Sequence, residues 1–221
     1  MNIYNENLLY LLDQRKISIT EFENIIYIPK VRILDPTPDE LIRISDYFNI
    51  SLDVLLRKKI KRQSEVKAID VQLVILDIDG TMTDGGMYFT ENGDQIKKYN
   101  TKDGLAIISK VRTGLTFGII SHGRKENMIR NRAALLEIDR IYVGTEPKMD
   151  ILSSWCSELG IGLENVAFIG DDINDLPVLE KVGVSACPND ASEAVKKVSD
   201  IILTKGGGKG CIREFIDDWL N

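Results

Sequence analysis

From Val71 to the C-terminus the sequence predicts a doubly wound α/β domain built on a parallel sheet, with a small all-α domain ahead of it. Three observations carry that prediction. Short β-branched apolar runs alternate with stretches of helical period after Val71, as repeated βα units require. Several of those runs end in aspartate. Residues 1–56 show helical period only, and the charged stretch 57–67 follows them.

In chain order, the first domain reads as helices over NENLLYLLDQRK, ITEFENIIY, PDELIRISDYFN and LDVLLRK, with start signals at Ser18 or Thr20, Thr37 and Ser51. RKKIKRQSEVK reads as a linker, which puts the boundary near Ser64 and gives domains of 1–63 and 64–221. The strands beyond are VQLVILDID, TFGIIS, RIYVG, VAFIGD, GVSACP and DIILT. Between and after them DGLAIISKVR, KENMIRNRAALLE, MDILSSWCSELG, NDLPVLEKV, ASEAVKKV and CIREFIDDWL read as helices, two of them closed by Gly160 and Gly183. One interruption, residues 85–100, has a Glu-Asn-Gly turn between two strand-like arms and predicts a β-hairpin directly after the first strand.

Composition narrows the chemistry. The single histidine, His122, excludes histidine phosphatases, Ser-His-Asp hydrolases and multi-histidine metal sites. Cys156, Cys187 and Cys211 lie far apart without metal-ligand spacing, and an odd number argues against a disulfide framework. No apolar run of membrane-spanning length occurs and the N-terminus lacks a leader pattern, so the expected compartment is the cytoplasm. Residues 1–70 balance 11 basic against 11 acidic side chains, which leaves the net charge of −6 to the α/β domain and no basic nucleic-acid footprint. Carboxylates must do the chemistry.

In open α/β sheets ligands bind outside the carboxyl ends of the strands. Here the first strand ends in Asp77-Ile78-Asp79-Gly80-Thr81-Met82-Thr83-Asp84 and the fourth in Gly170-Asp171-Asp172-Ile173-Asn174-Asp175. Taken singly, such aspartates terminate strands and cap helices. Taken jointly they form a cluster whose members repel by about 3–4 kcal/mol per close pair at an effective dielectric near 20. Mg²⁺ relieves that repulsion with oxygen ligands, which Asp77 and Asp171 can supply, with Asp79 adding its backbone carbonyl. The Asp77-x-Asp79 spacing lets a bending loop turn both carboxylates toward one phosphate, one to attack and one to transfer protons. Lys148 follows Pro147 at a helix start, where dipole and ammonium both face an anion. Ser121 fits an N-cap as well as it fits a ligand.

The DxDGT string, the strand-ending Ser121, Lys148 and the GDDINDLPVL run resemble, in that order, the four motifs of haloacid dehalogenase phosphatases over residues 71–221. That resemblance implies a Rossmann-like fold. It makes Asp77 the nucleophile and Asp79 the general acid/base, puts Ser121, Gly123 and Lys148 on the phosphoryl group, and gives Mg²⁺ to Asp77, Asp79, Asp171 and Asp172 with Asp175 in support. About 17 residues separate Asp84 from the next helix, too few for a cap domain.

The hairpin and Tyr99-Asn100-Thr101-Lys102-Asp103-Gly104 are similar to the capless phosphatases of 3-deoxy-D-manno-octulosonate 8-phosphate, as are SHGRKENMIRNRAALLEI and SDIILTKGGGKGCIREF. The resemblance implies a homotetramer whose hairpins form a shared barrel, a small acidic sugar phosphate of lipopolysaccharide synthesis as substrate, and sugar contacts from Arg124, Arg132 and Lys209. Arg124 after Gly123 favours the octulosonate over the alternative, a nonulosonate 9-phosphate, whose phosphatases tend to carry glutamate there. Two positions depart from the pattern: His122 is an extra residue, and Lys209 replaces an arginine whose bidentate fork it cannot reproduce. The segment Gly206-Gly207-Gly208-Lys209-Gly210 also fits a flexible connector. Residues 7–56 resemble a degraded helix-turn-helix, but IYIPKVRILDP occupies the recognition-helix position with two prolines. DNA binding is therefore not expected, and a sugar-phosphate-sensing regulator remains the rival from another class.

Overall fold

Strand β1 (Leu73–Leu76) lies inside a six-stranded parallel sheet of a computed structural model that describes residues 2–57, 59–123 and 126–220. β4 (Thr116–Ser121) and then β5 (Arg140–Val143) flank it on one side. On the other side stand β6 (Val166–Ile169), β7 (Val184–Cys187) and β8 (Ile201–Ile202). All six strands read from the sequence are present, in the order β5-β4-β1-β6-β7-β8. Their β-branched runs are continuous because both faces are covered. Val74 and Leu76 face a core shared with Ile107, Ile129 and Phe215, whereas Leu73 and Ile75 face one shared with Leu152, Val178 and Val195.

Helices α7 (Thr101–Val111), α8 (Glu126–Leu135) and α12 (Cys211–Trp219) supply the first core. Helices α9 (Lys148–Leu159), α10 (Leu176–Leu179) and α11 (Glu193–Val198) supply the second. Gly160 closes α9 in the left-handed conformation, at φ 67°. Gly183 serves a different end from the helix closure read in the sequence: a Cβ there would lie 2.0 Å from the Glu164 carbonyl oxygen, so close backbone approach demands glycine. The predicted hairpin exists as β2 (Tyr88–Phe89) and β3 (Gln95–Ile96), paired antiparallel.

The chain divides into two compact units, Met1–Glu65 and Val66–Asn221. The first holds α1 (Ile3–Gln14), α2 (Ile19–Ile26), α3 (Lys30–Leu34), α4 (Pro38–Phe48) and α5 (Leu52–Arg57) around Leu8, Phe22, Ile33, Ile44 and Leu55. Ser18 and Thr37 form capping boxes with Glu21 and Glu40, which fixes where α2 and α4 start. The segment between the two prolines forms only the five-residue α3. The stretch read as a linker is largely helical, as α6 (Ile60–Lys67). It contains neither glycine nor proline, Lys61 lies 3.9 Å from Glu65 one turn on, and Val66 is buried.

Candidate active site

The sheet order fixes the site before any side chain is placed. From β1 the chain runs outward to β4 and β5, then returns past β1 to β6, so the topology reverses beside β1. Asp77 leaves the end of β1 and donates its amide to Ile169 O of β6 at 3.0 Å. Strands this close bring the carboxylates that follow β1 and β6 together, though they are 94 positions apart in the chain. Asp77, Asp171 and Asp175 each offer an oxygen, all within 4.8 Å of one another.

The turn after Asp77 is irregular. Residues Ile78–Met82 close on a bond from Thr83 N to Ile78 O, and Gly80 sits at φ 92°. A Cβ at Gly80 would stand 2.0 Å from Asp171 Oδ2, so glycine is required both by the backbone and by the carboxylate facing it. Thr81 Oγ1 donates to Asp171 Oδ1 at 3.1 Å and Thr83 Oγ1 to Ile78 O at 3.2 Å. These two threonines aim the second carboxylate and hold the turn, a role the motif reading had not given them.

Lys148, the first residue of α9, is buried and donates to Asp77 Oδ1 at 2.5 Å and to Asp175 Oδ1 at 2.6 Å. Asp175 Oδ2 accepts the amides of Asp171 and Asp172 at 3.0 and 3.3 Å. Asp175 thus spends both oxygens on the frame. Burial drives the Asp77 carboxyl up to about 6 against the pull of Lys148, and Asp175 adds to the rise. Burial, then Asp77 and Asp175, push Asp171 up to about 8. For Lys148 burial opposes the charge, but Asp77 and Asp175 outweigh it and the ammonium is held above its ordinary value.

Three carboxylates facing one ammonium leave a surplus of negative charge, and a divalent cation fits that surplus. Asp77 and Asp171 are the carboxylates left to hold it, since Asp175 is fully engaged. Asp172, expected among the metal ligands, stands apart from the cluster, with its side chain accepting Ile173 N at 2.8 Å.

The other residues singled out from the sequence lie outside this hydrogen-bonded cluster. Asp79 is partly exposed and bonded through Oδ1 to the ammonium of Lys97, a residue that reading the sequence missed. Ser121 is buried at the end of β4 and accepts Gly123 N at 3.1 Å. His122, the extra residue of the motif, is exposed and tied at both nitrogens, Nε2 lying 3.1 Å from Glu146 O and Nδ1 3.2 Å from Asn174 Nδ2. Arg124 lies outside the described residues. Arg132 stacks on the Tyr99 ring at 5.1 Å and donates to Asn100 O at 3.3 Å, bracing the start of α7.

Lys209 lies 3.5 Å from Asp190. The glycine segment before it is packed rather than loose: Gly208 N donates to Thr81 O at 3.0 Å, and a Cβ on Gly207 would stand 1.9 Å from Gly80 O.

A family model described as haloacid dehalogenase-like hydrolase matches residues 140–213. The 3-deoxy-D-manno-octulosonate 8-phosphate phosphatase KdsC of Escherichia coli (strain K12) is 38% identical over 151 residues, 68% of this chain and 80% of that protein. The protein of the same name from Yersinia pestis is 32% identical over the same shares. Among solved structures, the phosphatase of that substrate from Moraxella catarrhalis, in complex with magnesium ion, phosphate ion and KDO, aligns with a TM-score of 0.67 at 31% identity over 71% of this chain and 88% of its own. The cobalt-bound Haemophilus influenzae form aligns with a TM-score of 0.66 at 33% identity, covering 71% and 90%.

Proposed function

The chain belongs to the 3-deoxy-D-manno-octulosonate 8-phosphate phosphatase family of haloacid dehalogenase-like hydrolases, and from that membership we propose how its own residues act. It is a Mg²⁺-dependent phosphomonoesterase that releases phosphate from 3-deoxy-D-manno-octulosonate 8-phosphate. The observation that carries the reading is the buried Asp77–Lys148–Asp175 cluster facing Asp171 at the reversal of the sheet.

In the first displacement an Asp77 carboxylate oxygen attacks phosphorus. The P–O bond to the sugar breaks, and its oxygen takes a proton from Asp79, leaving a phospho-aspartate and the free sugar acid. In the second, Asp79 removes a proton from water as the water oxygen attacks phosphorus, and the acyl–phosphate bond opens to restore Asp77 and give inorganic phosphate. Lys148 balances the charge on Asp77 throughout, and Asp175 keeps Lys148 in place. Ser121 and the Gly123 amide, at the end of β4, are assigned to the phosphoryl oxygens. Asp77, Asp171 and the Asp79 carbonyl would hold the magnesium ion, which would supply Lewis-acid screening of the negative charge on the phosphate.

The hairpin suits assembly with further copies of this chain. Met87, Tyr88, Phe89 and Ile96 are 56%, 60%, 65% and 56% exposed, a cost in water that pairing with neighbouring hairpins removes. A homotetramer is the arrangement proposed, to be read by sedimentation.

Phosphate release across a panel of sugar phosphates, with and without Mg²⁺, tests the activity. The octulosonate 8-phosphate should give the highest kcat/KM, and only with the metal. A higher value for a nonulosonate 9-phosphate would move the substrate assignment, and no release from any phosphate would end the reading.

A further inference from the structure

We propose that Lys97 is a positioning residue for Asp79, brought to it by the hairpin. The proposal rests on the phosphatase reading above and deepens it. Lys97 directly follows β3, on a hairpin whose neighbouring side chains face solvent: Ile96 is 56% exposed and the Lys98 side chain 71%. Its own side chain is only 2% exposed. A buried ammonium is costly unless it is paired, and the partner that Lys97 meets is the Asp79 carboxylate.

Asp79 has reason to need such a partner. It stands on the irregular turn beside Gly80, at φ −83° and ψ 111°, where no regular helix packing limits its side-chain rotamers. Its side chain is 37% exposed. A general acid/base on so open a turn must be held in reach of the leaving oxygen, because misplacement costs rate steeply. The hairpin arm supplies the hold. Lys97 bonds Asp79, Lys98 lies 3.8 Å from Asp84, and Tyr99 forms an antiparallel bridge with Thr83. Three consecutive residues therefore fasten the inserted hairpin along the catalytic loop.

The bond from Lys97 is made to Oδ1 alone. An oxygen that accepts a hydrogen bond from Lys97 does so whether Asp79 is carboxylic acid or carboxylate, so the pairing survives both displacements. Oδ2 carries the proton: to the leaving sugar oxygen in the first displacement, and from the attacking water in the second. Lys97 touches neither phosphate nor sugar in this scheme and acts only through Asp79.

The test compares two phosphate esters in the full chain with Mg²⁺ present, using kcat/KM, which reports the steps up to release of the first product. The octulosonate 8-phosphate loses a basic alkoxide that needs a proton from Asp79, whereas p-nitrophenyl phosphate loses a phenolate that barely needs one. Lys97→Met should lower kcat/KM by about 10²-fold on the sugar phosphate and by less than about tenfold on the aryl phosphate. Lys97→Arg should restore most of the loss. In an Asp79→Asn background Lys97→Met should add little, since the group it positions no longer moves a proton.

Circular dichroism establishes that the variants are folded, and Lys97→Gln, neutral and of similar length, carries the same expectation should Lys97→Met not fold. Equal losses on the two esters, or a full additional loss in the Asp79→Asn background, would overturn the proposal in favour of a purely structural lysine. A wild-type chain that hydrolyses neither ester would instead remove the phosphatase reading itself.

Discussion

The two units bury polar groups for different ends. Among the described residues of the helical unit the buried polar side chains are Asn7 and Ser45, and Asn7 is spent on backbone: Nδ2 donates to Leu55 O at 2.9 Å and Oδ1 accepts Ile60 N at 3.0 Å. That neutral amide closes the end of α5 and starts α6, satisfying backbone groups that helix ends leave open. In the α/β unit, Asp77, Lys148 and Asp175 are buried together, bonded to one another, and short of positive charge. The first arrangement is complete without a ligand, and the second is not. The other buried carboxylates among the described residues, Asp103 and Glu214, accept backbone amides of Arg213 and of Thr204 and Lys205, whereas the buried charges at the end of β1 and its neighbours are bonded to one another, where phosphate chemistry needs them.

The contrast is broken most decisively at the nucleophile. Asp77→Asn removes the attacking oxygen and should lower turnover by about 10⁴-fold or more, with the circular dichroism spectrum intact. Near-normal phosphate release from that variant would sink the mechanism.

A paired measurement of stability sharpens the difference between the units. Lys148→Met leaves buried carboxylates facing one another and should cost about 3–5 kcal/mol in urea unfolding of the α/β unit, together with activity. Asn7→Ala strands neutral backbone groups and should cost about 1–3 kcal/mol in the helical unit while turnover stays unchanged. If both variants lose activity alike, catalysis does not belong to the α/β unit alone.

The smallest effect lies in the pH dependence of magnesium stabilisation. Asp77 at about 6 and Asp171 at about 8 are raised above the ordinary value near 4, so without metal the folded chain retains protons that the unfolded chain has released. Their contribution to stability is fully present below about pH 4 and is lost as the pH climbs through 6 and 8. Mg²⁺ replaces those protons. The rise in Tm that it produces should therefore be larger at pH 8 than at pH 5.5 at saturating metal. A magnesium-induced rise that is constant across this range would show that the carboxylates do not crowd as described.

Much of this was legible in the chain itself. Strand and helix periods are local, and each of the six parallel strands lies within a run read from the sequence. The capping boxes at Ser18 and Thr37 marked their helix starts because a cap and its partner lie three residues apart. The charged stretch before Val71, read as a linker, is largely helical, because lysine, arginine and glutamate suit a solvated helix as well as an extended segment, and the division between the two units falls inside it. The hydrogen bonds of His122 could not be read from the sequence, because its partners Glu146 and Asn174 lie 24 and 52 positions away.

What the sequence determined by itself was the alternation of βα units, the hairpin after the first strand, and the two aspartate strings at strand ends, since all of these are written in residue types over a few positions. What only the tertiary structure decided was which charges meet. Lys148 reaches Asp77 and Asp175 across 71 and 27 positions, Thr81 aims Asp171 across 90, and Lys97 finds Asp79 across 18 through the fold of the hairpin. Neutralising a buried charge depends on distance in space, and distance in space follows the order of strands in the sheet, which no local stretch of sequence contains.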